Sequence, residues 1–562
     1  MSSVKAVRDC SGRNGADVLL EVLESEGIEY IFGNPGTTEL PLIDALLRHH
    51  SVKYVFALQE ASAVAMADGY AQATRKPGFI NLHTAGGLGH GMGNLINAKV
   101  SQTPLVVTAG QQDLRHTLTD PLLYDDLVSI ARPNVKWAQE VTNASQLPIL
   151  LRRAFNDADA APKGPVFLSL PMDVMEQKCD VTVPEQSRII HRYTAGSLDI
   201  LTKEIAQISP GRLAIIAGDE IHDSDASTEV VALAEMLGAS VYGSSFPARI
   251  PFPTAHPLWA GNMPMNAKLI SEILQNYDAI LGLGGKSLIT VLYSEIPAVP
   301  SHCQVFQLSA DPSDLGRTYV SKLSTIGDLQ CSLKVLLPLL KQELQQIGFD
   351  AKALLDAAFA RQQQKQTTLQ ADVSAKFSQI PVSPLVAAFE AARAIGPDIT
   401  IIDEALATTN ALRASLNSHH ATQYSFFRGG ALGWAMPAAV GFSLGRGREP
   451  VVCFVGDGAA MYSPQALWTA AHENLPITFI VMNNQEYNIL KNFMRSQENY
   501  TSAQTGKFIA MDITNPVIDY QALALSMGVT ACKVTQAADI APTIEHCIRS
   551  GKTCLVEIVI SA

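Results

Sequence analysis

Short apolar runs rich in Val, Ile and Phe alternate along the chain with longer stretches whose apolar residues recur at helical spacing. This alternation is typical of parallel β-sheets covered by helices on both faces, because parallel strands are buried on both sides. The runs fall into three groups. The predicted strands are 53–59, 78–84, 104–110 and 165–171, then 212–218, 239–244, 279–285 and 304–309, then 398–404, 450–456, 476–483 and 553–560.

Two segments without regular periodicity separate the three groups. Residues 174–195 mix charges with proline, and residues 341–383 are rich in glutamine and end near QIPVSP. The pattern therefore predicts an α/β protein built from three doubly wound parallel-sheet domains. We expect these domains to span residues 1–180, 195–340 and 382–562.

The composition of the chain argues against binding to nucleic acid or membranes and against secretion. Its 562 residues are 47% hydrophobic and carry a formal net charge of −12, without the basic cluster that nucleic-acid binding needs. No uninterrupted apolar stretch spans a membrane, and residues 1–15 lack the apolar core of a secretory signal. The eight cysteines are scattered rather than paired. We expect a cytoplasmic protein with reduced thiols that binds neither nucleic acid nor membranes.

The segment 451–487 contains the most informative motif. One apolar run ends in Gly456-Asp457-Gly458, and the next ends in Asn483-Asn484. Because parallel strands end at the same edge of a sheet, Asp457 and Asn484 should lie close together. A carboxylate and an amide oxygen, with a backbone carbonyl of Gln485 or Glu486, would form the incomplete oxygen shell that Mg²⁺ completes with phosphate and water. The glycines would let a diphosphate approach the backbone.

This motif resembles the metal and diphosphate site of the thiamine diphosphate-dependent (thiamine pyrophosphate-dependent) decarboxylase and acetolactate synthase superfamily. The resemblance implies Mg²⁺ ligation by Asp457, Asn484 and the Glu486 carbonyl. It also implies that an acid activates the cofactor, and Glu60 fits, since it follows a predicted strand and begins a helix-like stretch.

Several further segments are similar to the benzoylformate decarboxylase family. They include GNPGTTELP (33–41), ALQEASAVAMADGYAQATRKPGFINLHTAGG (57–87), ALGWAMPAAVG (431–441) and ALWTAAHENLPITFIVMNN (466–484). The resemblance implies a substrate contact at Thr37 and proton transfer by His83. It implies cofactor contacts at Gly430, Leu432, Gly456, Gly458, Ala459 and Tyr487, and an apolar substrate pocket formed by Leu122, Leu123, Leu490 and Phe493.

The chain also departs from this family. Val291 stands where the family has its second catalytic histidine, which delivers a proton after CO₂ leaves. Slower protonation, or an alternative acid such as Tyr293, would let an aldehyde capture the intermediate. Ala407 and Ala459 replace hydroxyl residues near the diphosphate, and His90 has no counterpart with an assigned role.

The resemblance implies decarboxylation of an aromatic or bulky 2-oxo acid by a homodimer or homotetramer with active sites between subunits. Two alternatives remain. One is a carboligase, acyloin lyase or acetolactate synthase-like enzyme that also takes an aldehyde or a second oxo acid. The other is a non-catalytic protein of the same fold, against which Glu60, Asp457 and Asn484 argue.

Overall fold

The computed structural model describes residues 8, 9, 13–419 and 423–562, so Cys10 and most of the first 15 residues lie outside the described part. The seven cysteines within it are free thiols. None of the described helices is long and apolar enough to cross a membrane.

The first part of the chain forms a six-stranded parallel sheet with the strand order β4-β3-β5-β6-β8-β7, beside two short antiparallel pairs, β1 with β10 and β2 with β9. The strands are β1 (Arg8–Asp9), β2 (Arg13–Asn14), β3 (Tyr30–Gly33), β4 (Lys53–Phe56), β5 (Gly78–His83), β6 (Leu105–Gln111), β7 (Ala138–Glu140), β8 (Val166–Pro171), β9 (Lys178–Cys179) and β10 (Thr182–Val183). The helices are α1 (Gly15–Ser25), α2 (Leu40–Ala45), α3 (Glu60–Thr74), α4 (Thr84–Val100), α5 (Leu127–Ala131), α6 (Leu147–Asp159) and α7 (Met172–Glu176). A 3₁₀ turn over Thr37–Glu39 precedes α2.

The middle part forms a second parallel sheet, with the order β13-β12-β11-β14-β15-β16. Its strands are β11 (Leu213–Ala217), β12 (Ser240–Gly243), β13 (Trp259–Asn262), β14 (Ala279–Leu283), β15 (Gln304–Ser309) and β16 (Leu323–Ile326). The helices are α8 (Leu198–Ala206), α9 (Glu220–Asp223), α10 (Ser227–Leu237), α11 (Ala267–Leu274), α12 (Leu329–Gln346) and the long connecting helix α13 (Lys352–Lys376).

The last part forms a third parallel sheet, with the order β18-β17-β19-β20-β22-β21. Its strands are β17 (Thr400–Glu404), β18 (Tyr424–Phe426), β19 (Val451–Gly456), β20 (Ile477–Asn483), β21 (Thr530–Val534) and β22 (Cys554–Val559). The helices are α14 (Pro384–Ile395), α15 (Thr409–Ser415), α16 (Ala435–Gly445), α17 (Asp457–Ala460), α18 (Ala466–His472), α19 (Asn488–Arg495), α20 (Thr501–Thr505), α21 (Tyr520–Ser526) and α22 (Ala537–Arg549).

The prediction of three doubly wound parallel-sheet units is confirmed, and all twelve predicted strands are present. The exact domain boundaries stay a prediction. The sequence pattern missed two strands of each sheet, namely β3, β7, β13, β16, β18 and β21. Five of these six lie at sheet edges, where fewer apolar residues are needed than in a central strand.

Helices α3 and α16 join the first sheet to the third. A Cβ atom on Gly441 would lie 1.8 Å from the carbonyl oxygen of Met66, and one on Gly69 would lie 2.3 Å from that of Ala438. The two backbones therefore touch at positions where only glycine fits. Trp434 adds a hydrogen bond across the same contact, donating to the buried carboxylate of Asp68 over 2.8 Å.

Candidate active site

The carboxyl ends of β19 and β20 bring Asp457 next to the loop that contains Asn484. Asp457 Oδ2 accepts a hydrogen bond from the Gln485 amide over 2.6 Å, and Oδ1 accepts one from the Gly458 amide over 2.8 Å. Asn484 Oδ1 in turn accepts from the Glu486 amide over 3.2 Å. Strands β19 and β20 are buried and parallel, so they end at the same edge of the sheet. Asp457 begins the helix after β19, and Asn484 begins the loop after β20.

The backbone turns sharply between Asn484 and Glu486. Gln485 has a φ of 60°, in the left-handed region that non-glycine residues seldom occupy. The loop is then tied to the segment around Asp512, because Tyr487 donates to the Met511 carbonyl and Ile513 donates to the Gln485 carbonyl. No backbone hydrogen bond to the Glu486 carbonyl is present among the described residues, so this oxygen can bind a ligand.

The donor set suits a hard divalent cation that also binds phosphate. Within the described residues no cluster of three His, Cys, Asp or Glu side chains could hold a metal, so a cation bound here would depend on one carboxylate supplemented by amide and carbonyl oxygens. Burial raises the pKa of Asp457 to about 6, and a bound cation would keep this carboxyl ionised. A Cβ on Gly456 would meet no atom within 4 Å, which leaves open space beside the site.

Two tyrosines and a lysine stabilise the segments that contain Asp457 and Asn484. Tyr487 packs against Gly458, where a Cβ would lie 2.4 Å from its ring, and Tyr520 donates a hydrogen bond to the Asp457 carbonyl over 2.9 Å. The buried Lys491 forms ion pairs with the carboxylates of Glu486 and Asp512. These contacts fix the loop before any ligand binds.

A second group of polar residues lies at the carboxyl edge of the first sheet. Glu60 is the first residue of α3 and is buried. Its Oε1 atom accepts a hydrogen bond from Asn34 Nδ2 over 3.2 Å, and its Oε2 atom accepts one from His90 Nδ1 over 3.0 Å. His90, which sequence reasoning left without a role, therefore contacts the proposed activating acid.

His83 ends β5 and lies beside Glu60. A Cβ on Gly87 would be 3.2 Å from Glu60 Cγ and 3.5 Å from His83 Cβ, so the two side chains flank the same glycine of α4. His83 Nδ1 donates to Glu39 Oε2 over 2.8 Å, and Thr38 Oγ1 lies 3.1 Å from the same nitrogen. The hydrogen bond to Glu39 is the main cause that raises the pKa of His83 above its ordinary value.

The junction between His83 and α4 is strained. Thr84, which directly follows His83, has a φ of 47° although its side chain is β-branched, and it is completely buried. Such conformations persist where the surrounding structure imposes them, and they concentrate at functional sites. The strain therefore supports a functional role for this turn.

Leu432, a predicted cofactor contact, lies in a loop held by a buried acid at the end of β17. Glu404 accepts hydrogen bonds from the Gly433 amide over 2.5 Å and from the Ala435 amide over 2.7 Å. Burial raises the pKa of Glu404 to about 8. Asn94 donates to the Ala61 carbonyl over 2.8 Å and lies 3.5 Å from the Gly433 carbonyl, so the Leu432 loop adjoins the Glu60 end of α3.

A cavity of about 1250 Å³ lies between the second and third sheets. Its walls are mostly aromatic and aliphatic, with Lys365 and Arg413 among the polar lining residues. Of the sequence-predicted site residues, it contains Gly430, Leu490 and Phe493, together with Val291, the position of the missing histidine.

Three family models match consecutive parts of this fold. Residues 13–140 match the thiamine pyrophosphate enzyme N-terminal TPP binding domain, residues 208–336 match the central domain, and residues 407–558 match the C-terminal TPP binding domain. The first match contains Glu60 and His83, and the last contains Asp457 and Asn484. The chain belongs to the thiamine pyrophosphate enzyme family.

Full-length relatives of the chain lie within this thiamine pyrophosphate enzyme family. Benzoylformate decarboxylase of Pseudomonas aeruginosa is 29% identical over 542 residues, covering 96% of this chain and 97% of the relative. A probable acetolactate synthase large subunit of Methanococcus aeolicus is 26% identical, covering 97% and 92%. The crystal structure of benzoylformate decarboxylase from Polynucleobacter necessarius superimposes with a TM-score of 0.86 at 27% identity, covering 98% of this chain and 99% of that one.

The predicted site residues of this thiamine pyrophosphate enzyme form separate groups within one chain. Glu60 and His83 lie at the first sheet, while Asp457, Asn484, Glu486, Gly456, Gly458, Ala459 and Tyr487 lie at the third. No hydrogen bond among the described residues joins Glu60 to Asp457. Thr37, Leu122 and Leu123 are exposed, Leu122 by 85%, and none of them lines the cavity that Leu490 and Phe493 share.

Sequence reasoning missed two buried acids of the site. Glu39 contacts His83, and Glu404 holds the Leu432 loop. Each had a weak signal, since Glu39 stands in the GNPGTTELP segment and Glu404 ends a predicted strand. Neither signal shows which side chain the acid contacts, because the partner comes from a distant part of the chain.

Proposed function

We propose that the protein is a thiamine diphosphate- and Mg²⁺-dependent enzyme that decarboxylates an aromatic or other bulky 2-oxo acid to the aldehyde and CO₂. Its similarity to benzoylformate decarboxylases over nearly the whole chain supports this reaction. The observation that carries the proposal is the position of Glu60 and His83 on either side of Gly87, which combines an acid and an imidazole at one sheet edge.

The residues at the third sheet fit the metal and the diphosphate. Asp457, Asn484 and the Glu486 carbonyl would hold Mg²⁺, and the open space at Gly456 would admit phosphate. When bound, thiamine diphosphate supplies the nucleophilic carbon and the electron sink for cleavage of the carbon–carbon bond.

The residues at the carboxyl edge of the first sheet transfer protons. Glu60 would exchange the activating proton with the cofactor through a carboxylate oxygen, and the donors Asn34 and His90 orient that carboxylate. His83 presents its other ring nitrogen, Nε2, to the reaction, because Nδ1 is occupied by Glu39 and Thr38. Its raised pKa lets it carry a proton near neutral pH.

The lining of the cavity supports the proposed substrate class. Leu490, Phe493 and Phe426 supply apolar surface for a ring or a branched side chain, while Arg413 lies in the same lining. No Asp or Glu is among the described residues that line the cavity, which favours an anionic substrate with an apolar group.

The test is CO₂ release from a panel of 2-oxo acids that includes benzoylformate and pyruvate, with thiamine diphosphate and Mg²⁺ present. We expect the fastest release from benzoylformate or a bulkier analogue. Negligible release across the panel, in a protein that binds the cofactor, would contradict the decarboxylase assignment.

Carboligation is the second candidate, and Val291 favours it. Val291 is half exposed and lines the cavity, so position 291 supplies no imidazole to deliver a proton after CO₂ leaves, and the histidine of the cavity lining is His419 instead. Tyr293 is 91% exposed and is not among the described residues that line the cavity. The similarity to an acetolactate synthase subunit also agrees with ligation. Acyloin formation on addition of an acceptor aldehyde, measured against free aldehyde product, distinguishes the two outcomes.

We further propose a homodimer or homotetramer that forms its active sites between subunits. Apolar side chains of the first part of the chain that are exposed in the monomer, including Leu118 and Leu122, suit such an interface. Light scattering coupled to gel filtration tests this assembly, and a fully active monomer would refute it.

A further inference from the structure

Glu39 is a buried carboxylate to which the proposed reaction assigns no role. It is 2% exposed and lies in the 3₁₀ turn between β3 and α2. Its Oε1 atom accepts a hydrogen bond from Thr38 Oγ1 over 2.7 Å. Its Oε2 atom accepts bonds from the Gly36 amide over 2.9 Å and from His83 Nδ1 over 2.8 Å.

We propose that Glu39 is a positioning residue that fixes the orientation, the tautomer and the charge of His83. This inference rests on the proposed function only in taking His83 as the proton carrier. The contact itself joins two side chains of this chain and involves no cofactor atom.

The tautomer follows from hydrogen-bond chemistry. A carboxylate can only accept, so Nδ1 of His83 must carry the proton that points at Glu39. Nε2 is then the acceptor when the ring is neutral and a donor when the ring is cationic. The His83 side chain is 21% exposed, so one end of the ring reaches solvent or substrate while the other is held.

Backbone contacts leave the pair no room to rearrange. A Cβ on Gly36 would lie 2.3 Å from the His83 ring, and a Cβ on Gly110 would lie 2.0 Å from Glu39 Oε1. Gly110 is also the residue paired with His83 across the β5–β6 ladder. Gly36 and Gly110 therefore stand at the two positions where a side chain would displace His83 or Glu39.

The charge of His83 follows from the groups that face it. Glu39 from the 3₁₀ turn and Glu60 from α3 are the carboxylates near the ring, and both raise its pKa, Glu39 more strongly. The Tyr54 hydroxyl of β4 lies near both acids, and burial raises its pKa, so it stays neutral. Three hydrogen-bond donors, the Gly36 amide, the Thr38 hydroxyl and His83 Nδ1, contact the two carboxylate oxygens of Glu39.

The test compares Glu39→Gln with wild type by NMR titration of His83 in cofactor-free protein, with His83→Gln to assign the signal. In wild type we expect a His83 pKa above 6.5. In Glu39→Gln, which keeps the shape but removes the charge, we expect that pKa to fall by about 1 pH unit or more. Asp44→Asn, which changes an exposed acid on the neighbouring helix α2, is the matched control and should leave it unchanged.

Turnover provides the second readout. Glu39→Gln should lower kcat by about tenfold or more, with KM changed much less, and should move the His83 inflection of the pH profile to lower pH. Glu39→Asp, which restores a carboxylate, should recover part of the charge effect on His83.

The outcomes separate this inference from the proposed function. An unchanged His83 titration in folded Glu39→Gln overturns the positioning role even if the enzyme decarboxylates oxo acids. A shifted titration in a protein without decarboxylase activity supports the dyad and refutes the reaction. If Glu39→Gln does not fold, a wild-type His83 pKa at or below 6.5 overturns the inference by itself.

Discussion

The Nδ1 atom of His90 lies 3.0 Å from the Oε2 atom of Glu60, so a largely exposed imidazole contacts the buried acid at the start of α3. Asn34 contacts the other oxygen of the same carboxylate. The acid is thus oriented by residues from two other elements of the first sheet, and its position does not depend on a ligand.

Glu60→Gln should lower turnover by two to four orders of magnitude, because it keeps the shape and the Asn34 contact but removes the acid. Steady-state kinetics and isothermal titration with thiamine diphosphate should show lost turnover with the cofactor still bound. Glu29→Gln, an exposed acid of the same sheet unit, is the control. Near-normal turnover of Glu60→Gln would remove this residue from the mechanism.

Asp457→Asn should weaken Mg²⁺-dependent binding of thiamine diphosphate by about 100-fold or more, since it removes the one carboxylate of the donor set and outer-shell changes alone cost 10–100-fold. Fluorescence quenching with and without EDTA measures this affinity. Asp539→Asn, an exposed acid on α22, should bind as wild type does. Tight binding by Asp457→Asn in Mg²⁺ would place the metal elsewhere.

The pairing of His83 with Glu39 should make stability depend on pH in a defined direction. Because the folded pKa of His83 is raised above 6.5, its contribution is fully present below the unfolded pKa and is lost as pH rises through the folded one. Wild type should therefore exceed His83→Gln in Tm by about 2 °C or more at pH 6, with a smaller difference at pH 9. Calorimetry at the two pH values measures this difference in Tm. A difference that grows with pH would contradict the predicted direction of the pH dependence.

Gly441→Ala should destabilise the protein, because the new methyl group would meet the Met66 carbonyl oxygen at 1.8 Å. A cost of about 1–3 kcal/mol is typical for overpacking at a closely packed contact. Gly196→Ala, whose methyl group meets no atom within 4 Å, should change the free energy of unfolding by less than about 0.5 kcal/mol. Denaturant titration of both variants measures the difference, and equal stabilities would show that α3 and α16 can separate.

Val291→His should shift the products toward free aldehyde at the expense of acyloin, because it places a proton donor in the cavity wall. Product ratios at fixed acceptor concentration, measured by chromatography, report the shift. Val320→His, at an exposed valine of the same sheet unit that is not among the described residues lining the cavity, serves as the control. An unchanged ratio would mean that protonation at this position does not control the outcome.

The sequence predicted the fold well where strands are central and buried. Strands such as β6 and β20 are buried along their whole length, so their apolar runs stand out. Edge strands such as β16 and β21 are half exposed and lack that signal. The interior strand β3 was missed although all four of its residues are buried. Its length does not explain this, because β4 and β12 are equally short and were predicted.

The candidate site was predictable to the extent that strand ends determine it. Asp457 and Asn484 follow adjacent parallel strands, and topology alone brings such residues together. The partners of His83 and Glu60 were not predictable in this way. Glu39 and His90 reach them from a 3₁₀ turn and from the helix after β5, and sequence spacing does not determine these side-chain directions.

The glycine contact between α3 and α16 also limits where this molecule can deform. Two backbones that touch cannot slide past each other without first moving apart, so the Glu60 end of α3 and the Leu432 loop should move together. The cavity wall from the second sheet is joined to the third by different contacts, among them the Arg428–Asp219 ion pair. Movements that enlarge the cavity for bulkier substrates should therefore occur in the wall from the second sheet. The position of Glu60 relative to the Leu432 loop should stay constant.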